Sequence, residues 1–301
     1  MGFAYNLLHK KKTSVYDTML DRLIALLPAA VAGCVYFGYH AVLLLFTCVA
    51  AAVVTEWLLS LLLKTGGNIK ELTSVVTGLL IGMCMPPSMP LVTAAAVTVC
   101  SIAVARMFFG GYGCEIVNPA ALGAALSFVS FPSLMSTFND ALSHKVTDIV
   151  PLTAPEGTFN FKQLLLGAHA GAIGEVSALF LLVGAVYLFV RRVYTVTIPI
   201  SACFSVALFS LIFRMDIPVA LLGGGLLLSS IFILPEESTS PQNVSGQLAF
   251  GFVFGLITVL IRRFGSATEG VYFAVLAVNL LRPLFSAIPD FKIKGEHKNE
   301  A

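Results

Sequence analysis

The residues best suited to chemistry lie in one stretch, Arg106-Met107-Phe108-Phe109-Gly110-Gly111-Tyr112-Gly113-Cys114-Glu115-Ile116-Val117-Asn118-Pro119-Ala120. Gly110, Gly111 and Gly113 place three glycines in four positions, which lets a backbone turn sharply and approach a ligand closely. Asn118-Pro119 then opens a helix, with Asn as its N-cap and Pro at the first helical position. The N–H groups at such a terminus suit an anionic or carbonyl-rich ligand, and tight turns between helices use glycine in the same way. Ionisable groups within apolar runs cost at least about 2.5–3.5 kcal/mol each at the centre of a membrane helix, so they are candidates for function. They are Glu56, Arg106, Glu175, Glu269 and Arg282, with Glu71 and Glu115 at segment ends. Snorkelling to the headgroups suits Glu71, Glu269 and Arg282 better than it suits Arg106 or Glu175. Glu175 follows Gly171-Ala172-Ile173-Gly174 at the opening of a segment, where a helix N-terminus favours a negative charge. A structural cap and a site residue are both open readings there.

The elements that position these residues follow from composition. Of 301 residues, 57% are hydrophobic and only 11% charged, and the net charge is +2. A soluble domain is about 25% charged, so this composition excludes a soluble enzyme, a disordered chain and a nucleic-acid binder. It describes an integral membrane protein. Crossing the hydrocarbon core takes about 20 apolar residues. Against that length the sequence divides into apolar segments at 20–38, 41–63, 72–85, 91–109, 117–131, 173–190, 195–213, 217–234, 247–264 and 270–287. Three are short and end at proline: Met85-Pro86-Pro87, Phe131-Pro132 and Leu234-Pro235. Interrupted segments of this kind line a site inside protein rather than face lipid.

The long polar stretch 132–172 separates five segments from five. The expected organisation is a first membrane repeat over 1–131, an outward-facing loop over 132–172, a second repeat over 173–290 and a charged tail over 291–301. The halves echo each other. Gly78-Leu79-Leu80-Ile81-Gly82 before Pro86-Pro87 resembles Gly225-Leu226-Leu227-Leu228-Ser229 before Pro235, and Phe109-Gly110-Gly111 before Asn118 resembles Phe264-Gly265 before Asn279. An odd number of spans per half makes such repeats inverted, with a site at their interface. The fold class expected is therefore all-α, with ten membrane helices in two inverted five-helix repeats. Short-loop Lys and Arg residues put both termini in the cytoplasm and the 132–172 loop outside. Arg262 and Arg263 fall on the wrong side, and snorkelling is the only account of them at this level. Met1 to Asp21 is too polar for a removable signal peptide. Five of the six cysteines sit in apolar runs as small filler, leaving Cys114 in the Gly-rich loop. The five histidines are scattered and no thiolates cluster, so neither a metal nor an iron–sulfur site is expected.

Several motifs together resemble a family. Thr73-Ser74-Val75-Val76-Thr77-Gly78-Leu79-Leu80 with Pro86-Pro87, then Phe109-Gly110-Gly111-Tyr112-Gly113 to Asn118-Pro119-Ala120, resembles the D subunit of the Rnf electron-transport complex. The B subunit of sodium-pumping NADH:quinone reductase is a more distant likeness. Gly171-Ala172-Ile173-Gly174-Glu175-Val176-Ser177-Ala178-Leu179, Thr239-Ser240-Pro241, Gly246-Gln247 and Glu269-Gly270-Val271-Tyr272-Phe273-Ala274 complete the resemblance, which runs from about residue 13 to 290.

The resemblance implies a urea-transporter-like bundle that relays electrons in a bacterial or archaeal cytoplasmic membrane. It implies FMN, esterified through its phosphate to a Thr or Ser of the outward loop, with a flavin transferase as partner where that link forms. Other membrane and peripheral subunits would handle ferredoxin and NAD, and the complex would move Na+ or H+. On the family pattern Thr153 and Asp148 lie near the flavin phosphate. Gly111, Gly113 and Asn118 shape the pocket, Thr77 and Glu175 stand across the repeat interface, and Arg106 stabilises an anionic reduced flavin. The acceptor motif departs from the family in Asp148-Ile149-Val150-Pro151-Leu152-Thr153-Ala154-Pro155, where Ala154 occupies the position of the hydroxyl. Thr153 in a shifted register, FMN without a covalent bond, and loss of the flavin are the three outcomes, and the register leans against the covalent link. Ser266-Ala267-Thr268 mimics the acceptor without the Asp. A small-solute channel or carrier, and a scaffold that has lost its flavin, are the alternatives in other functional classes. The copies of Phe, 23 in all, point to a plugged interior rather than an open conduit.

Overall fold

The computed structural model describes residues 14–63, 71–139, 146–148, 161–166, 171–175, 177–265 and 270–290. Every apolar run read from the sequence contains helix. In order these are α1 (Val15–Phe37), α2 (Tyr39–Leu63), α3 (Thr73–Met83), α4 (Leu91–Ala105) with a 3-10 turn Met107–Phe109, and α5 (Pro119–Ser130). After the polar stretch come α6 (Ala178–Arg191), α7 (Thr197–Ile212), α8 (Ile217–Leu222), α9 (Leu226–Leu228) running into a π turn Ser229–Ile233, α10 (Val244–Phe264), α11 (Val271–Leu280) and α12 (Arg282–Ser286). Four helical stretches are long and apolar enough to cross a membrane by length and composition: Val15–Phe37, Tyr39–Leu63, Leu91–Phe109 and Val244–Phe264. Five further apolar helices are shorter. Within 132–172 the described residues include a two-stranded antiparallel hairpin, β1 (Thr137–Asn139) with β2 (Val146–Asp148), in which Thr137 pairs with Asp148. That hairpin is the one departure from an all-helical reading among the described residues. Asp148 stands at its end, whereas Thr153 and Ala154 lie outside the described residues, as do Ser266-Ala267-Thr268 and Glu269.

The helix ends obey the breakers in the sequence. Asn118 Oδ1 accepts from Ala120 N at 2.8 Å and Ala121 N at 3.3 Å with Pro119 in the first turn, so α5 starts where Asn-Pro requires. α3 ends three residues before Pro86, and α5 ends before Phe131-Pro132. The 217–234 run breaks inside itself, because Gly224 and Gly225 adopt φ of +60° and +68°, a region open to glycine. One expectation fails here. Residues 171–175 are not helical, and α6 begins only at Ala178, so Glu175 is not in a helix first turn. Gly174 N donates to Met83 O at 2.8 Å and Ile173 N to Met85 O at 3.1 Å, which ties the turn over residues 173–175, closed by Glu175 N to Ala172 O at 3.0 Å, to the end of α3.

Packing follows small residues. α2 lies along α3 and α4, α7 along α10, α1 against α6, and α5 against α11. Gly78 and Gly82 give α3 a face on which α2 rests at backbone distance: a Cβ at Gly78 would come within 2.8 Å of Cys48 O and the Ala52 methyl. Gly251 and Gly255 give α10 the same face toward α7, meeting Ile198 O, Ser201 and Ser205. With no hydrophobic drive between helices in lipid, such close packing supplies the association energy. Ser201 Oγ and Ser205 Oγ donate to Leu248 O and Phe252 O, adding bonds across the same contact.

A bulky residue on either face should therefore unseat a helix pair. Gly251→Leu and Gly78→Leu are expected to lower the thermal unfolding midpoint in detergent by several degrees, reflecting overpacking of about 1–3 kcal/mol or more. Val92→Leu, at a position 82% exposed, should leave the midpoint unchanged.

Candidate functional site

The polar side chains that an apolar bundle should avoid are gathered into one buried network. Arg106 closes α4 and is 1% exposed. Its Nε donates to Glu115 Oε1, its Nη1 to Glu56 Oε2 at 3.0 Å and its Nη2 to Thr77 Oγ1 at 2.7 Å. Glu56 on α2 also accepts from Thr73 Oγ1 and Ser74 Oγ, both on α3. Glu115 accepts from Ser238 Oγ at 2.6 Å, which reaches across from the second half of the chain. A guanidinium and two carboxylates thus tie α2, α3, α4 and the Gly-rich loop together. Burying these charges is tolerated because nearly every donor and acceptor is met.

Gly110, Gly111 and Gly113 hold φ of +109°, +103° and +92°. A Cβ at Gly111 or Gly113 would meet nothing within 4 Å. The glycines are therefore required by the backbone turn that swings Glu115 back onto Arg106, and not by crowding. Tyr112, in the same loop, stands with its ring 5.6 Å from Arg106 Cζ. Burial and the Glu236 carboxylate push its phenol well above the usual range, so it stays protonated.

Asn118 carries the network into the other half. Besides capping α5, its N–H donates to Asn279 Oδ1 at 3.0 Å, and its Nδ2 donates to Ile233 O at 3.0 Å and to Glu236 Oε2 at 3.3 Å. Asn279 in turn donates to Thr239 O at 3.2 Å. Glu236 pairs with Arg22 Nη1 at 2.8 Å, and the Arg22 guanidinium lies 4.5 Å over the Tyr194 ring. Arg22 Nε and Nη2, the Tyr194 hydroxyl and Thr239 Oγ1 are all buried with no hydrogen-bond partner among the described residues. Of these residues Tyr194 alone lines a small cavity of about 180 Å³, together with Pro235, Glu237, Ser240, Gln247 and Asp290 among others.

Of the residues expected from the sequence, Arg106, Thr77, Gly111, Gly113 and Asn118 fall in or beside this network. Glu175 does not. It is buried apart, accepting from Tyr272 Oη at 3.1 Å, with Gly225 against its carboxyl group. Asp148 sits on the hairpin and Thr153 lies outside the described residues. Arg262 also corrects the expectation of snorkelling. It is buried, and donates to Ala220 O at 2.7 Å, Gly223 O at 3.1 Å and Gly224 O at 2.9 Å, satisfying carbonyls left open where α8 breaks. Arg282 is half-buried and donates to Ser238 O. Sequence reasoning missed Arg22, Glu236, Ser238 and Asn279 as a group. Glu236 had a local signal, since it directly follows Pro235 at the end of a broken apolar run.

The sequence model of the NQR2, RnfD, RnfE family matches residues 6–293. The chain belongs to this family. Among relatives, the D subunit of the Na+-translocating ferredoxin:NAD+ oxidoreductase complex of Acetobacterium woodii is 33% identical over 299 residues, covering 96% of this chain and 93% of the relative. The D subunit of the proton-translocating ferredoxin:NAD+ oxidoreductase complex of Clostridium ljungdahlii is 33% identical over 295 residues, with 90% and 89% covered. The D subunit of an ion-translocating oxidoreductase complex of Stutzerimonas stutzeri is 29% identical over 322 residues, with 92% and 91% covered. Family membership therefore extends over both halves that the buried network joins.

Arg106→Gln leaves Glu56 and Glu115 facing each other without a cation, and is expected to cost about 3–5 kcal/mol. Asn118→Ala removes a cap and the Glu236 contact, and should cost about 1–2 kcal/mol. Unfolding of the purified variants, followed by thiol-reactive dye fluorescence, should rank them in that order.

Proposed function

We propose that this chain is the membrane subunit of an ion-translocating ferredoxin:NAD oxidoreductase complex, and that it relays electrons through bound FMN. The observation that carries the reading is family membership over residues 6–293, with relatives at 33% identity that are named as D subunits of such complexes. Ferredoxin and NAD are handled by partner subunits, both membrane-bound and peripheral. The coupling ion is Na+ or H+; two relatives of equal identity carry one each in their names.

The architecture proposed is ten membrane segments in two inverted, urea-transporter-like repeats, within a cytoplasmic membrane and with both termini cytoplasmic. Corresponding contacts in the two halves support it: α2 with α4 in the first and α7 with α10 in the second, and α1 against α6 and α5 against α11 between them. The broken segments of both halves start after residues with similar left-handed backbone, Leu72 at φ 58° and Gly225 at φ 68°.

The residues present fit a flavin in two respects and resist it in one. Buried polar atoms without partners among the described residues stand at the junction of the halves, and the space over Gly111 and Gly113 is open. The acceptor register of the outward loop holds Ala154, so the FMN would be held without a phosphodiester; it is the family resemblance that assigns Asp148 and Thr153 to its phosphate. When bound, the flavin supplies the electron-transfer chemistry that no side chain here offers. The protein supplies position and charge. Asn118 holds the pocket floor between the halves, while Gly111 and Gly113 keep its wall thin. Arg106 acts through its field, which in a low dielectric favours an acquired negative charge nearby. Thr77 orients Arg106, and Glu175 lies across the interface.

Acid precipitation of the purified chain should release yellow flavin into the supernatant, and the 148–162 peptide should carry no added mass. A flavin-phosphate adduct on Thr153 would overturn the non-covalent assignment. Absence of flavin from both fractions would overturn the redox reading. Solute flux in liposomes without a redox partner would support a channel instead.

A further inference from the structure

The contact between α7 and α10 carries two hollows that the buried network does not use. The two helices run parallel in constant register, with Ser201 Oγ donating to Leu248 O at 2.5 Å and Ser205 Oγ to Phe252 O at 2.6 Å. A groove of about 540 Å³ lies along this seam, lined by Ile200, Phe204, Leu248, Ala249, Phe252 and Val253. Ser201 adds a hydroxyl that is already committed to Leu248 O. Ile200, Phe204 and Leu248 are exposed, so the groove opens outward from the bundle. α10 is long and apolar enough to cross a membrane, which places the groove in the lipid phase. The second hollow is the cavity of about 180 Å³ beside Tyr194. Thr195 and Ile198 line it at the start of α7, and Val244 and Gln247 at the start of α10. Ile198 stands one turn before Ser201, about 5 Å along a helix axis, and Gln247 adjoins Leu248 in the chain. The polar cavity is therefore at the end of the apolar groove. Its lining carries the Glu237 and Asp290 carboxylates and, among the described residues, no lysine or arginine. Asp290 Oδ1 accepts from Ser245 N at 3.1 Å, which fixes that carboxylate at the first turn of α10. Tyr194 is 5% exposed, and its hydroxyl is buried without a hydrogen-bond partner among the described residues. Arg22 lies over the Tyr194 ring but is committed to Glu236 and does not line the cavity.

We propose that the two hollows form one site for a phospholipid whose head carries a primary ammonium. An acyl chain lies in the groove, and the ammonium enters the cavity against the Glu237 and Asp290 carboxylates. Charge complementarity selects the head. Two carboxylates attract a cation that brings its own N–H donors, and they repel a head of net negative charge. Depth agrees with this, because the starts of membrane-length helices stand at the level of the headgroups, where tyrosine is also enriched. Shape selects a chain over a neighbouring helix. A helix with its side chains is about 10–12 Å across, wider than the seam between two helices that touch at backbone distance. The proposal does not depend on the flavin reading.

The test uses the full chain purified within its complex, stripped of lipid in detergent and followed by native mass spectrometry. It is titrated with dioleoyl phosphatidylethanolamine and with dioleoyl phosphatidylglycerol, which share their chains and differ in the head. The ethanolamine lipid is expected to bind about tenfold or more tightly. Glu237→Gln combined with Asp290→Asn keeps the side-chain shapes and the acceptor for Ser245 N, and should erase that preference. Ala249→Phe fills the groove and should weaken both lipids about tenfold. Thermal unfolding without added lipid checks that the variants fold, and Val253→Phe replaces Ala249→Phe if that one does not. Equal binding of the two lipids by the unmodified protein overturns the proposal, and so does a preference that survives in the double variant. Unchanged affinity in the groove variant overturns the placement of the chain. A photo-crosslinking benzophenone residue at position 204 decides the occupant in the intact complex. Capture of phospholipid supports the site, whereas capture of another subunit's helix overturns it.

Discussion

A guanidinium enclosed in an apolar bundle has to be met from every side, and that requirement organises this structure around Arg106. Its three nitrogens draw Glu56 from α2, Thr77 from α3 and Glu115 from the loop after α4 into one place. Because the pair on Glu115 is completed by Ser238, the same constraint reaches into the second half of the chain. Desolvated charges at this depth are stable only as a set, so the elements bearing them move together or not at all. The Gly-rich loop is part of that set. Its positive φ angles are the means by which an acidic side chain returns to a cation nine residues earlier.

Asn118 is the point at which this rigid set meets the opposite half. One side chain caps α5 and bonds Ile233 O and Glu236, while its own N–H is bound by Asn279. A helix N-terminus, a π turn and the end of α11 are thereby held within hydrogen-bond reach of one residue. Nearby, the polar groups cease to satisfy one another. Arg106 has all three nitrogens bonded, whereas Arg22 is bonded to an oxygen through Nη1 alone among the described residues. Outside this region the bundle relies on small residues, with Gly78, Gly82, Gly251 and Gly255 letting helices approach at backbone distance.

Membership in the NQR2, RnfD, RnfE family gives these interactions a setting. Within that family's fold, the buried network is what ties the first half of the chain to the second. The match covers nearly the whole chain and so takes in both halves that the network joins.

Much of this was legible from local signals. The apolar runs and their proline stops located every major helix, because hydrophobicity over about 20 residues and the missing N–H of proline act without reference to the rest of the fold. Asn118-Pro119 announced its cap for the same reason. Arg106 stood out because a charge amid apolar residues is costly wherever it lies. What the sequence alone did not disclose was partnership. From the sequence Arg22 counts only among the cations that set orientation and Arg262 reads as a misplaced one, yet one pairs with Glu236 and the other closes the carbonyls of a broken helix. Glu175 reads as a cap or a site residue at a helix N-terminus, yet it stands in a turn tied to Met83, three residues before α6 begins. Residues 214 positions apart become a single ion pair only when two distant segments converge. Length, span and breakers are properties of neighbours in the chain. Which buried charge meets which is decided by packing.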